Sequence, residues 1–179
     1  MFINDLANVN LSLSRFSIAL DYALTQVSYA KRIEDDNGVL RSINRAAEPY
    51  VLLARHRDTL LMIQEGLSVA NIIRAYSGQL IRLYFFASKC HMSSGKLLAA
   101  LDYQKEALKL SLELDNPWAV SRQYAHLGLV YNKLGDHSEA IRLIHMSGEF
   151  GKRLQDEKMS RAAIALSPFF FDGCSIHSR

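Results

Sequence analysis

The residues of this 179-residue chain that could bind a metal ion are six histidines and two cysteines. Zinc sites hold their ligands at short, fixed spacings, such as two histidines one helical turn apart or a pair of nearby cysteines. Cys90 and His91 are adjacent, and adjacent residues of a helix point in different directions. His126, His137 and His145 match neither a one-turn histidine pair nor a metalloprotease motif. We therefore predict that the chain binds no metal.

Serine and cysteine chemistry is also poorly supported. The run Ser-Ser-Gly-Lys that ends at Lys96 is similar to the end of a phosphate-binding loop, but it lacks the leading glycine and a preceding strand. Cys174 lies in a polar tail without an evident activating base. The chain has no nucleophile-elbow motif and no carboxylate pair in a cleft-forming context. We expect a protein that is not an enzyme and has no cofactor.

Composition limits the other classes of function. The formal charge is only +3 and no Lys/Arg run appears, so nucleic acid is not expected as a partner. The longest uncharged apolar run, Ala162 to Phe171, is half the length that crosses a bilayer, so no membrane partner is expected. The cysteines lack the spacing of a disulfide framework, and the first residues lack the basic start of a signal peptide. We predict one domain, residues 1–179, in the cytoplasm.

The elements that must position any site are helices, because apolar residues recur at helical spacing throughout. Asp, Asn, Gly and Pro separate the helical stretches. We also expect Pro49 to kink the third helix or delay its start. The nine predicted helices span about 3–13, 15–34, 39–55, 57–74, 79–93, 96–114, 117–134, 136–154, and from near 156 to Pro168.

The stretch from Tyr124 to Ala140 is the most specific part of the sequence. Gly128 has no side chain, so a neighbouring helix can come close to it, and small Ala140 would face it from that helix. Gly135 followed by Asp136 is typical of a helix end and the cap of the next helix. This pattern resembles the tetratricopeptide repeat, a pair of antiparallel helices.

The pattern recurs about 40 residues earlier, a period longer than the 34 or so that is usual for the family. Leu60-Leu61 and Ala19-Leu20 are predicted to continue the series. The resemblance implies a long-repeat variety of the family: an all-α, right-handed superhelix (α-solenoid) of about four stacked hairpins with a C-terminal capping helix. The matching residues of the preceding repeat are Tyr84, Ala87, Ser88, Gly95, Ala100 and Leu101.

In this family the first helix of each hairpin lines a concave groove that binds a peptide or protein. Placed on this sequence, the groove positions are basic and apolar, and they contain no carboxylate. Guanidinium groups suit the carboxylates or carbonyl groups of a peptide. The alternative is that the arginines are only a solvated helix face. The predicted groove residues are Arg45, Arg82, Phe85, Lys89, Met92, Arg122, Leu129, Asn132 and Lys133.

The resemblance implies a non-catalytic scaffold or adaptor that binds a protein or peptide. The alternative function is a ligand-sensing regulatory module, a fragment of a bacterial signalling protein such as a cyclase, kinase or transcription regulator. Outside the groove, we expect Trp118 to pack on Leu114 in the core, and the alternative is that it anchors an interface. We expect Phe169, Phe170 and Phe171 to be buried, either as a cap on the last hairpin or in a homodimer contact at the C-terminal end.

Overall fold

A computed structural model describes the backbone of residues 2–73 and 77–171, and the side chains of residues 5–73, 78–153 and 155. These residues form eight helices and no strand. None of the helices combines the length and the apolar character needed to cross a bilayer, within the residues described. The helices are α1 (Phe2–Ser12), α2 (Phe16–Arg32), α3 (Asp36–Leu52), α4 (His56–Ile72), α5 (Ser77–Ser93), α6 (Leu97–Glu113), α7 (Pro117–Leu134) and α8 (His137–Phe171).

The helices form four hairpins, each with a first helix (α1, α3, α5 or α7) and a second helix (α2, α4, α6 or α8). The second helices begin at Phe16, His56, Leu97 and His137, so successive hairpins are offset by 40, 41 and 40 residues. Each hairpin packs on the next along the chain. The predicted all-α solenoid and its repeat spacing of about 40 residues are confirmed.

The turns inside the hairpins repeat with the same offsets. Ser14, Ala54, Gly95 and Gly135 each have a positive φ, of 58°, 56°, 72° and 88°. This left-handed conformation reverses the chain after a helix and is least costly for glycine. Glycine occupies it only in the third and fourth hairpins, which explains why the repeat is easier to recognise there.

The hydrophobic core is shared between hairpins. Leu40 and Ile43 of α3, Ile63 of α4 and Leu83 of α5 are at most 1% exposed and belong to one cluster. A hairpin alone would leave one side of this cluster in water, and burying a side chain of this size stabilises the fold by about 1.5–3 kcal/mol. The stack is therefore the stable unit, as expected for a solenoid.

Helix α3 begins earlier than predicted. The side chain of Asp35 caps it by accepting a hydrogen bond of 2.8 Å from the Gly38 amide, so the helix starts at Asp36 and not near residue 39. Pro49 lies inside the helix, which continues to Leu52. The run from Asp35 to Gly38 is therefore the cap and first turn of α3, while α2 ends before it at Arg32.

The predicted alignment of the second hairpin was wrong by one residue. Measured from the helix starts, Thr59 and not Leu60 is equivalent to Ala100. Burial agrees, because Thr59 and Ala100 are both fully buried whereas Leu61 is 56% exposed. The second hairpin lies 41 residues before the third, whereas the sequence analysis used a step of 40 there.

The sequence predicted two helices where the structure has one. Helix α8 continues from His137 to Phe171, through the break predicted near residue 155. The residues from Lys152 to Met159 are mostly strong helix formers and include neither Gly nor Pro. The side chains of Phe169, Phe170 and Phe171 lie outside the described residues, so their predicted contacts stay a prediction.

Gly128 lies at a close approach between α7 and α8, as predicted. A Cβ atom there would lie 3.1 Å from the Ala140 carbonyl oxygen and 3.1 Å from Ile144 Cγ1. The equivalent residue of the third hairpin is Ser88, whose hydroxyl donates a 2.9 Å hydrogen bond to the carbonyl of Ala100. Only a very small residue fits between the two helices at this position.

Replacing Gly128 by leucine should lower the free energy of unfolding by about 1–3 kcal/mol, because the larger side chain forces α7 and α8 apart. Urea unfolding followed by circular dichroism would measure the change. Gly148→Leu is the matched control, since a Cβ atom at Gly148 meets nothing within 4 Å. Equal stability of the two variants would contradict the packing described here.

Candidate functional site

The first helices carry an arginine at the same position in three successive hairpins. Arg41, Arg82 and Arg122 are each the sixth residue of their helix, in α3, α5 and α7. Because the hairpins stack in order, these side chains form a row along one face of the solenoid. We call this the arginine row. The sequence analysis did not select Arg41, because a step of 40 residues back from Arg82 leads to Ser42; the same step aligned Arg45 with Phe85.

Between α3 and α5 the row borders a polar pocket. Arg41, Asn44, Arg45, Gln79 and Arg82 line it. Asn44 joins the two helices. Its side-chain nitrogen donates to the backbone carbonyl of Gln79 at 3.4 Å, and its backbone carbonyl accepts from the Arg82 guanidinium at 3.5 Å. Arg45 donates to Gln26 Oε1 at 3.3 Å. The amide oxygens Asn44 Oδ1 and Gln79 Oε1 are buried and have no hydrogen-bond partner among the described residues.

Between α5 and α7 the site is aromatic and cationic. The Arg122 guanidinium lies 4.2 Å from the ring centroid of Phe85 and 5.0 Å from that of Trp118. Lys89 Nζ lies 5.7 Å from the Phe85 ring, and the His126 ring packs edge-on against it at 4.5 Å. Cations over aromatic faces stabilise such an arrangement by about 0.5–2 kcal/mol per pair, and the rings hold the arginine in place.

The electrostatics of the row follow from its burial and its like charges. Burial lowers the pKa of Arg122, and the neighbouring Arg82 lowers it further. Burial likewise lowers the pKa of Arg45, with Arg41 and Arg82 adding to the effect. Glu48 acts in the opposite direction on Arg122. Bringing these cations together costs free energy, and an anion placed among them would recover part of that cost.

His126 is uncharged in this setting. Burial is the largest cause that lowers its pKa, to about 4, and the charges of Lys89 and Arg122 lower it further. Its Nδ1 atom is buried without a hydrogen-bond partner in the described part of the chain. The sequence analysis considered His126 only as a possible metal ligand and did not select it for the groove.

The predicted groove residues occupy two places. Arg45, Arg82, Phe85, Lys89 and Arg122 lie together along the face formed by α3, α5 and α7. Phe85 is only 8% exposed, so it supports the cations and does not offer an open apolar surface.

The remaining predicted residues are nearer the C-terminal end. Leu129 and Asn132 line a cleft between α7 and α8, and Asn132 Oδ1 lies 2.9 Å from His137 Nδ1. Lys133 is exposed near the end of α7, and Met92 is half-buried near the end of α5. That any of these residues binds a ligand stays a prediction.

Trp118 does not have the predicted role. Its side chain is 55% exposed and lies under the Arg122 guanidinium, whereas the sequence analysis placed it against Leu114 in the core. Trp118 is the second residue of α7, directly after Pro117. The sequence signal for its position was the four-residue spacing to Arg122, which puts both side chains on one helix face.

No protein-family model matches the chain, and no curated protein matches it in sequence. Solved structures resemble its fold. A Rap protein complexed with Competence and Sporulation Factor has a TM-score of 0.78 at 16% identity, over 92% of this chain and 46% of the Rap protein. BtubC (BKLC) from P. vanneervenii has a TM-score of 0.73 at 17% identity, over 99% of this chain and 66% of BtubC.

The chain therefore spans about half the length of the Rap protein and about two thirds of BtubC. At this level of identity the likeness concerns the fold. The neighbours support a tetratricopeptide-like helical repeat, in agreement with the four stacked hairpins.

The low pKa of His126 predicts a specific dependence of stability on pH. The unfolded side chain takes up a proton near pH 6.5 and the folded one near pH 4. Between these values only the unfolded state is protonated, so His126 destabilises the fold as the pH falls from about 6.5 to about 4. The loss should be on the order of 2–3 kcal/mol at the lower end.

Urea unfolding at neutral and acidic pH, with His126→Gln for comparison, measures this loss. The variant should be less sensitive to acid than the wild type, while the carboxylates contribute equally to both. If the free energy of unfolding falls equally in the wild type and the variant on acidification, the assignment of a neutral His126 is contradicted.

Proposed function

We propose that the protein is a non-catalytic binding module whose ligand is an acidic peptide or an acidic segment of a partner protein. The ligand lies across the first helices, along the arginine row. The observation that carries this proposal is the placement of Arg41, Arg82 and Arg122 at the same position of three successive hairpins.

The chemistry of the row favours carboxylates. A guanidinium group can donate two parallel hydrogen bonds to one carboxylate, and it does so in a plane fixed by its surroundings. Arg122 is fixed in this way by Phe85 and Trp118. Its Nε atom is buried and has no hydrogen-bond partner among the described residues.

The spacing of the row favours an extended chain over a small ligand. The arginines are contributed by three hairpins, and each hairpin adds a further guanidinium along the stack. An extended peptide with acidic side chains can contact several of them, whereas one small anion reaches one or two. The unpartnered amide oxygens of Asn44 and Gln79 could accept hydrogen bonds from the ligand's backbone amides.

The neighbouring structures are compatible with this function. The Rap protein, which has a similar fold, was solved in complex with Competence and Sporulation Factor. A helical solenoid of this kind can therefore hold a ligand, and the exposed face of the first helices provides a continuous surface for one.

Selection from a random peptide library displayed on phage, with the immobilised protein as bait, tests the proposal. We expect the selected peptides to be enriched in Asp and Glu. Their affinity, measured by calorimetry, should fall at least about tenfold in Arg82→Glu with Arg122→Glu, which corresponds to about 1.4 kcal/mol. Binding should also weaken as the salt concentration rises.

The matched control is Arg57→Glu with Lys109→Glu, which changes the net charge equally on exposed positions of the second helices α4 and α6. It should bind as the wild type does. Because Arg122 is partly buried, Arg82→Glu alone is also measured, since Arg82 is exposed and its loss leaves the fold intact. Selected peptides that bind the groove variants and the control equally would refute the proposal.

A further inference from the structure

The fourth hairpin has an apolar face that none of the described residues covers. Between α7 and α8 a cleft of about 460 Å³ is open at the C-terminal side of the fourth hairpin. Ile141 and Ile144 of α8 are 60% and 50% exposed there, and Leu129 of α7 is 47% exposed. We call this surface the end face. Its lining residues are Gly128, Leu129, Asn132, His137, Ala140, Ile141, Ile144 and His145.

The equivalent positions of the earlier hairpins are covered. Ile144 corresponds to Gln104, Ile63 and Ala23, according to the starts of the second helices. These three side chains are at most 1% exposed, against 50% for Ile144. The end face is thus the one stacking surface, among the four described hairpins, on which no further hairpin lies.

The cover on the earlier surfaces is the first helix of the next hairpin. Gln104 Nε2 of α6 donates to the Gln123 carbonyl of α7 at 3.1 Å, and Leu101 packs on the cluster around Tyr124. One hairpin earlier, Cys90 Sγ of α5 lies 3.3 Å from the carbonyl of His56, the first residue of α4. A helix with a matching apolar stripe is therefore the occupant that this kind of surface accepts.

The first hairpin exposes such a helix, α1. Leu6 and Val9 of α1 are 42% and 52% exposed. Their equivalents in α3, α5 and α7 are all at most 5% exposed, because a preceding hairpin lies against them. The equivalents follow from the offsets of 40, 41 and 40 residues between the second helices. Those of Leu6 are Ala46, Ala87 and Leu127, and those of Val9 are Pro49, Cys90 and Val130.

We propose that the end face binds α1 of a second copy of this chain, so that copies stack head to tail and continue the solenoid. In the stacked pair, Val9 of the second copy takes the place relative to His137 that Cys90 takes relative to His56. Leu6 is buried beside it, and the second copy covers Ile141 and Ile144. The contact joins different surfaces of the two copies, so each stacked pair keeps one free face of each kind and can add further copies.

Light scattering on the intact chain, over a wide range of protein concentration, tests the stacking. The weight-average mass should rise with concentration and pass the mass of a dimer. Ile141→Glu with Ile144→Glu blocks the end face, and Leu6→Glu with Val9→Glu blocks the α1 face. Each variant alone should keep the mass of a monomer at all concentrations.

An equimolar mixture of the two blocked variants gives the decisive result. One retains a free α1 face and the other a free end face, so the mixture should form a dimer and nothing larger. Leu61→Glu with Leu98→Glu is the control, since these exposed leucines of α4 and α6 lie outside both faces. This control should assemble as the wild type does.

Three outcomes would overturn the proposal. They are a monomeric wild type at every concentration, a blocked variant that still dimerises with itself, and a mixture that stays monomeric although circular dichroism shows both variants folded. A dimer that persists when the α1 face is blocked would indicate contact between two C-terminal ends instead. None of these outcomes depends on the arginine row, so the binding function is tested separately.

Discussion

The structure depends on one constraint, which is that a pair of helices cannot cover both of its own faces. Each hairpin leaves the side of its second helix exposed until the first helix of the next hairpin lies across it, as α5 lies over Ile63 and α7 over Gln104. Within a hairpin the two helices also approach closely, and the residues that permit this are small, as Gly128 and Ser88 show. Because this stacking repeats every 40 or 41 residues, equivalent residues of successive hairpins take equivalent positions along the solenoid.

The arginine row is a consequence of that repetition. A residue type that recurs at one helix position becomes a line of side chains on the surface, and here the type is arginine. The row is not arranged for stability, since Arg82 lowers the pKa of both Arg45 and Arg122. Phe85 and Trp118 offset part of the cost by supporting the guanidinium of Arg122. The anionic ligand that we propose would offset part of the remaining repulsion between these cations.

The sequence predicted the fourth hairpin best, because its turn chemistry and its close helix contact require particular residues. Gly135 takes a left-handed conformation and Gly128 faces the Ala140 carbonyl, so both leave a clear pattern. The second hairpin was misplaced by one residue, because Ala54 occupies the equivalent turn without the glycine signal. Single-sequence patterns also do not show which side chains from different helices meet. The contact of His126 with Phe85 joins α7 to α5, and the sequence could not predict it.

The most direct test of the central claim is an NMR titration of the arginine Nε–Hε groups with a peptide selected from the library. The account predicts that the signals of Arg41, Arg82 and Arg122 shift together with one midpoint, while those of Arg57 and Arg142 on the second helices do not move. Shifts confined to Arg57 and Arg142, with an unchanged arginine row, would contradict it. The measurement reports on the guanidinium groups themselves, so it separates binding at the row from binding at the end face.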